Sequence, residues 1–104
     1  MIVFPNCKIN LGLHILRKRS DGYHDLETVF YPIPLTDVLE IVEHKDHGKS
    51  GRIPFSVSGF SVPGKPASNI CAKAYKLLKK DFPKLPFIQM HLHKAVPLGA
   101  GLGG

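Results

Sequence analysis

The sequence predicts an α+β fold, mostly strand with one helix, and three observations carry that reading. Apolar residues alternate with polar ones over residues 7–16 and again over 88–93, the period of a half-buried strand. Residues 69–82 carry the one clear apolar stripe of helical period. Segments dense in Gly and Pro separate these runs into short elements.

Taken in order, the first strand points Cys7, Ile9, Leu11, Leu13 and Ile15 to one side and Lys8, Asn10, Gly12 and His14 to the other. A basic connection, Arg17-Lys18-Arg19, leads into the turn signal Ser20-Asp21-Gly22. A second extended run, 25–33, is rich in β-branched and aromatic residues and ends among Pro32 and Pro34. A third strand spans about 37–43; a polar loop over 44–51 and a short strand over 53–58 follow. After a second loop over 59–68 comes the helix, with Ser68 or Asn69 as its N-cap. Ile70, Cys71, Ala74, Leu77, Leu78 and Phe82 form its apolar stripe, and Lys73, Lys76, Lys79 and Lys80 fall opposite, toward solvent. Pro83 and Pro86 stop the helix. In the last strand Ile88, Met90 and Leu92 alternate with Gln89, His91 and His93, and the chain runs on into the glycine-rich segment 97–104.

A length of 104 residues corresponds to one domain, and there is no internal repeat. No apolar run approaches the roughly 18 residues of a membrane span, and the start lacks the plan of a secretory signal. Four of the last eight residues are glycine, so the end reads as a cut through a longer protein. The net charge of +6 is carried by residues 53–104, which hold seven lysines against Asp81. Such a surplus attracts polyphosphates or nucleic acid, or is simply a solvated helix face. Cys7 and Cys71 are too few for a disulfide scaffold and lack metal-site spacing, which fits reduced thiols in a cytoplasmic protein.

Several residues could carry chemistry. A strand that opens into Pro97, Leu98, Gly99, Ala100, Gly101, Leu102, Gly103 and Gly104 offers consecutive amides that can approach a phosphate and form an anion nest. The spacing is not that of a Walker A loop. Alternatively the segment is a flexible linker. Lys8 and Asn10 project from the polar side of the first strand, where a lysine could contact a phosphate or face solvent. Tyr23 and His24 follow the turn and could stack on a base, or be surface residues. His91 and His93 share a strand face, but no third metal ligand is placed by spacing, and no metal site is assigned.

In combination, CKINLGLHIL, RSDGYHDLETVF, SNICAKA and KAVPLGAGLGG resemble the N-terminal part of the GHMP small-molecule kinases from Pro5 to Gly104. The Lys-Ile-Asn-Leu and Asp-Gly-Tyr-His pair resembles the branch that phosphorylates a hydroxyl of a diphosphocytidyl-linked methylerythritol with ATP, in non-mevalonate isoprenoid synthesis. The resemblance implies a left-handed β-α-β element and an incomplete N-terminal domain over 1–104, truncated within the phosphate loop. It implies Lys8 as the catalytic lysine beside the reacting hydroxyl, Asn10 as its neighbour, and Tyr23 and His24 as holders of the cytosine. It implies Asn69 and Lys94 near the ATP nucleoside, and residues 97–104 around the ATP phosphates. The ligands of Mg2+ and the catalytic base are expected beyond residue 104, and the fragment alone is expected to be inactive. Neither nucleic acid nor membrane is an expected partner of such a kinase. Two other classes remain: a basic β-α-β module that binds nucleic acid, and a fragment that self-associates through exposed apolar surface.

Overall fold

A computed structural model describes residues 1–45 and 53–103. The expected polar loop over 44–51, with His47, falls mostly outside the described residues, as does Gly104. The elements are β1 (Ile2–Val3), β2 (Asn6–Lys18), β3 (His24–Thr36), β4 (Val38–Glu43), β5 (Phe55–Gly59), a 3-10 turn (Pro66–Ser68), α1 (Ile70–Asp81) and β6 (Ile88–Lys94). The α+β expectation holds. Among the described residues no helix is long and apolar enough to cross a membrane.

Four strands form one sheet in the order β1-β4-β6-β5. β4 runs antiparallel to β1 and β6, whereas β5 and β6 are parallel. Parallel neighbours need a crossover, and α1 supplies it, so β5-α1-β6 is a β-α-β element. β1 was not legible in the sequence; its two residues pair with β4, and the N-terminal amine donates to the Ile41 carbonyl at 2.8 Å.

The remaining two strands, β2 and β3, form a separate long hairpin. β3 continues past Pro32 and Pro34 to Thr36, because in a two-stranded ribbon a proline can turn its missing N–H outward. The predicted alternation along β2 needs correction. The pairing shifts between Leu11 and Leu13 and again between Ile15 and Arg17, so Gly12 (φ 71°) and Leu16 are extra residues in the ladder. Directly opposed residues share a face. Leu13 opposes Thr28, Asn10 opposes Phe30 and Lys8 opposes Pro32. Leu13 and Ile15 therefore lie on the face of Lys8 and Asn10, not with Cys7 and Ile9.

The helix also differs from its predicted orientation. Asn69, not Ser68, caps it: its Oδ1 accepts the Cys71 N–H at 2.9 Å, while the Ser68 hydroxyl donates to the Lys65 carbonyl. The buried side is Ala72, flanked by half-buried Cys71, Tyr75 and Lys79, about a third of a turn from the predicted stripe. Ile70 (78% exposed), Ala74, Leu77 (67%), Leu78 and Phe82 face outward. Two anchors favour this orientation. The Tyr75 hydroxyl donates to the Pro86 carbonyl at 2.7 Å. Lys79, expected in solvent, donates to the carbonyls of Pro83 and Leu85 and sits 4.9 Å over the Phe87 ring.

The core is small and centred on β6: Cys7, Ala72, Met90, Leu92 and Val96 are buried. The alternation predicted for residues 88–93 holds, since Met90 and Leu92 point inward and Gln89 and His93 outward. The same period turns Lys94 inward. β5 must pass close to this strand end. A Cβ on Gly59 (φ 78°) would stand 2.3 Å from the Lys94 carbonyl oxygen, so only glycine fits there.

Candidate functional site

The glycine-rich segment leaves β6 from a fixed point. Lys94 is 4% exposed, and its Nζ donates to Asp37 Oδ2 at 2.5 Å. Asp37 Oδ1 accepts the N–H groups of Ala95 and Val96, both at 2.8 Å. Burial alone would raise the Asp37 carboxyl, but the Lys94 hydrogen bond, the two backbone N–H donors and the Lys94 charge outweigh it and hold it below the usual carboxylate range. Val96, 1% exposed, then plugs the core beneath the loop.

The far end of the loop is fixed by β2. The Lys8 N–H donates to the Leu102 carbonyl at 2.9 Å. Lys8 Nζ donates to Asn10 Oδ1 at 2.7 Å, approaches the Gly101 carbonyl at 3.4 Å and lies 5.1 Å from the Phe30 ring centre. A Cβ on Gly103 would come within 3.0 Å of the Lys8 side chain. Between these anchors Gly99, Gly101 and Gly103 have φ of 72°, 74° and 75°, and no non-glycine residue among those described has positive φ. Alternating φ signs in this way is the backbone habit of an anion nest, in which successive N–H groups face one concavity.

Beside the loop lies a cleft of about 570 Å³, within the usual range for small-molecule sites. Its lining includes Asn69, Lys94, Leu98 and Gly103, together with Cys7 and Cys71. The structure thus brings Asn69, Lys94 and two loop residues, Leu98 and Gly103, to one cavity; Pro97, Gly99, Ala100, Gly101 and Leu102 are not in its lining, and Lys8 and Asn10 stand at the loop's far end. Burial pushes the Cys71 thiol up, which disfavours the nucleophilic thiolate.

Tyr23 and His24 stand apart from this group. Tyr23 is in the hairpin turn, 74% exposed, its N–H donating to Asp21 Oδ1 at 3.0 Å. His24 opposes Lys18, and Lys8 opposes Pro32. The intervening stretch of β3 corresponds to roughly 27 Å of strand. His24 nevertheless shares the hairpin face of Phe30, Asn10 and Lys8, because the β3 register is regular between them. His91 and His93 meet serines: Ser58 Oγ lies 2.9 Å from His91 Nε2 and from His93 Nδ1, and Ser56 Oγ lies 2.7 Å from His91 Nδ1. Among the described residues no three His, Cys, Asp or Glu side chains gather as a metal-ligand set.

Sequence reasoning missed Asp37. Its signal was the strand period itself, which turns Lys94 inward and so requires a buried partner of opposite charge. Two of the seven lysines behind the nucleic-acid alternative are also withdrawn from the open surface, Lys94 fully and Lys79 in part.

A β-α-β element that opens into a glycine nest, with a strand-borne lysine across the nest, agrees with the kinase resemblance of the sequence motifs. No protein-family model matches the chain. Along its whole length the chain is similar to part of 4-diphosphocytidyl-2-C-methyl-D-erythritol kinases. It is 55% identical to the one from Cytophaga hutchinsonii over 104 residues, all of this chain and 36% of that protein. It is 53% identical to that of Bacteroides fragilis, covering 37% of it, and 40% identical over 102 residues (98% of this chain) to the chloroplastic kinase of Arabidopsis thaliana, covering 26%. A crystal structure of 4-(cytidine 5'-diphospho)-2C-methyl-D-erythritol kinase superposes with a TM-score of 0.73 at 30% identity, over all of this chain and 35% of that one. The chain therefore spans about a third of the length of the bacterial relatives it matches.

Proposed function

We propose that the chain is the incomplete N-terminal domain of an ATP-dependent kinase that phosphorylates a hydroxyl of 4-diphosphocytidyl-2-C-methyl-D-erythritol in non-mevalonate isoprenoid synthesis, in the cytoplasm. The observation that carries this reading is the seat of Lys8, whose main chain and ammonium both meet the carbonyls of the glycine loop. Phosphoryl transfer depends mostly on positioning and on stabilising charge at the transferred group. In this reading the loop N–H groups hold the ATP phosphates, and the cleft beside Asn69 takes the nucleoside. Lys8, oriented by Asn10, presents its charge to the phosphoryl group as it passes to the substrate hydroxyl. Tyr23 and His24 hold the cytosine at the distal end of the hairpin, which requires an extended substrate lying along the face that His24 shares with Lys8.

Mg2+ would neutralise phosphate charge, and Asp37 is already engaged by Lys94. Its ligands, and the catalytic base, belong to the rest of the kinase. We therefore expect no ATP turnover with the diphosphocytidyl substrate by the 104-residue chain, and turnover above background would overturn this assignment of parts. In the full-length protein, Lys8→Ala is expected to lower kcat by roughly two to three orders of magnitude with a much smaller change in KM. An unchanged kcat would make Lys8 an ordinary surface lysine.

A further inference from the structure

We propose that Asp37 is the positioning residue of the glycine loop, and that Lys94 serves the nucleotide site through Asp37 rather than by direct contact. The inference rests on the kinase reading of that loop. One carboxylate binds three consecutive residues at the loop entrance: Lys94 through its side chain and Ala95 and Val96 through their N–H groups. Few single side chains could fix the direction of a departing strand so fully. The Asp37 main chain meanwhile donates its N–H to the Pro5 carbonyl at 3.0 Å, just before β2 begins. β2 is the strand whose Lys8 binds the loop's far end through the Leu102 carbonyl. Asp37 therefore ties together the supports at both ends of the loop.

The charge of Lys94 points the same way. Its Nζ is buried against Asp37, while its carbonyl accepts the Phe60 N–H at 2.8 Å and packs on Gly59. A buried ammonium so held is not free to leave for a nucleotide without abandoning an unpaired carboxylate. Lys8 is the cation aimed at the loop; Lys94 belongs to its foundation.

The test is a double-mutant cycle in the full-length protein with Asp37→Asn, Lys94→Met and the two combined. Each single change leaves a buried polar group badly paired and is expected to raise KM for ATP about tenfold. KM for the diphosphocytidyl substrate should stay within about twofold, because that substrate lies on the hairpin side. The combined variant is expected to recover most of the ATP affinity. Its Asn carbonyl oxygen still accepts the Ala95 and Val96 N–H groups, and no charge is left unpaired. If the combined variant stays as defective as Lys94→Met, Lys94 contacts the nucleotide directly and the proposal fails. A uniform loss on both substrates would also overturn it, as a merely structural role. Should the wild-type protein show no ATP turnover, the kinase reading falls on its own. Amide exchange then decides the positioning role: Asp37→Asn/Lys94→Met must keep the Val96 and Lys8 amides, which hold the two ends of the loop, as protected as in wild type, and Asp37→Ala must expose them. Equal exchange in wild type and Asp37→Ala would refute it.

Discussion

At the end of β6 a charged pair is buried and two backbone donors converge on it, whereas on the outer stripe of α1 leucine, isoleucine and phenylalanine side chains stand in solvent. Composition alone would assign these regions the other way round. Burying an aliphatic or aromatic side chain is worth roughly 1.5–3 kcal/mol, so an exposed cluster of them represents stabilisation not realised within this chain. A buried charge is tolerated only when paired and hydrogen-bonded, and both partners here lie within 104 residues. What is complete in the chain is thus the polar junction; what is incomplete is the apolar surround. Apolar surface of this extent marks an interaction face.

The contrast can be broken most severely at the junction. Lys94→Ala should destabilise the chain by about 3–5 kcal/mol, because it leaves the Asp37 carboxylate buried without its cation. A urea unfolding midpoint close to wild type would show that the pair contributes nothing net. Acid probes the same pair more gently. The Asp37 carboxyl is held below its unfolded value, so its contribution is present at neutral pH, above the ordinary carboxylate range, and is lost as pH falls through the lowered value. Asp37→Asn should flatten that part of the stability-versus-pH curve; a curve superimposable on wild type would contradict it. The smallest effect belongs to the helix. Leu77→Ala should change the stability of this chain by no more than about 0.5 kcal/mol. In the full-length protein the same substitution should cost about 2–5 kcal/mol. Equal, small costs in both would mean that the α1 stripe is never covered.

Much of this was legible in the sequence, and the misreadings share a cause. The turn at Ser20–Gly22, the Asn69 cap, the inward alternation of Met90 and Leu92 and the nest-forming glycines are local, written within a few residues. Which face of α1 meets the sheet is not local. The pattern of Ile70, Leu77 and Leu78 states which side favours burial, while Ala72, Tyr75 and Lys79 decide what is buried here, through contacts with residues 83–87. Asp37 escaped notice because its three partners come 57 or more residues later in the chain. The separation of Tyr23 and His24 from Lys8 likewise depends on how far the hairpin extends before it turns, and β3 proved longer at both ends than its composition suggested.

The extra residues Gly12 and Leu16 act on the hairpin as a pair of compensating frameshifts act on a gene. Before the first and after the second, even-numbered residues of β2 share the face of Lys8; between them the odd-numbered residues do. The inverted phase places Leu13 and Ile15, with Thr28 and Leu26 across from them and Phe30 on the same face, between Lys8 at one end and His24 at the other. A face that an unbroken ladder would have filled with glycine and histidine becomes a greasy track between two polar stations. Deleting either extra residue alone would preserve the pairing around it, whereas forcing it back into the ladder would exchange the two surfaces for everything downstream.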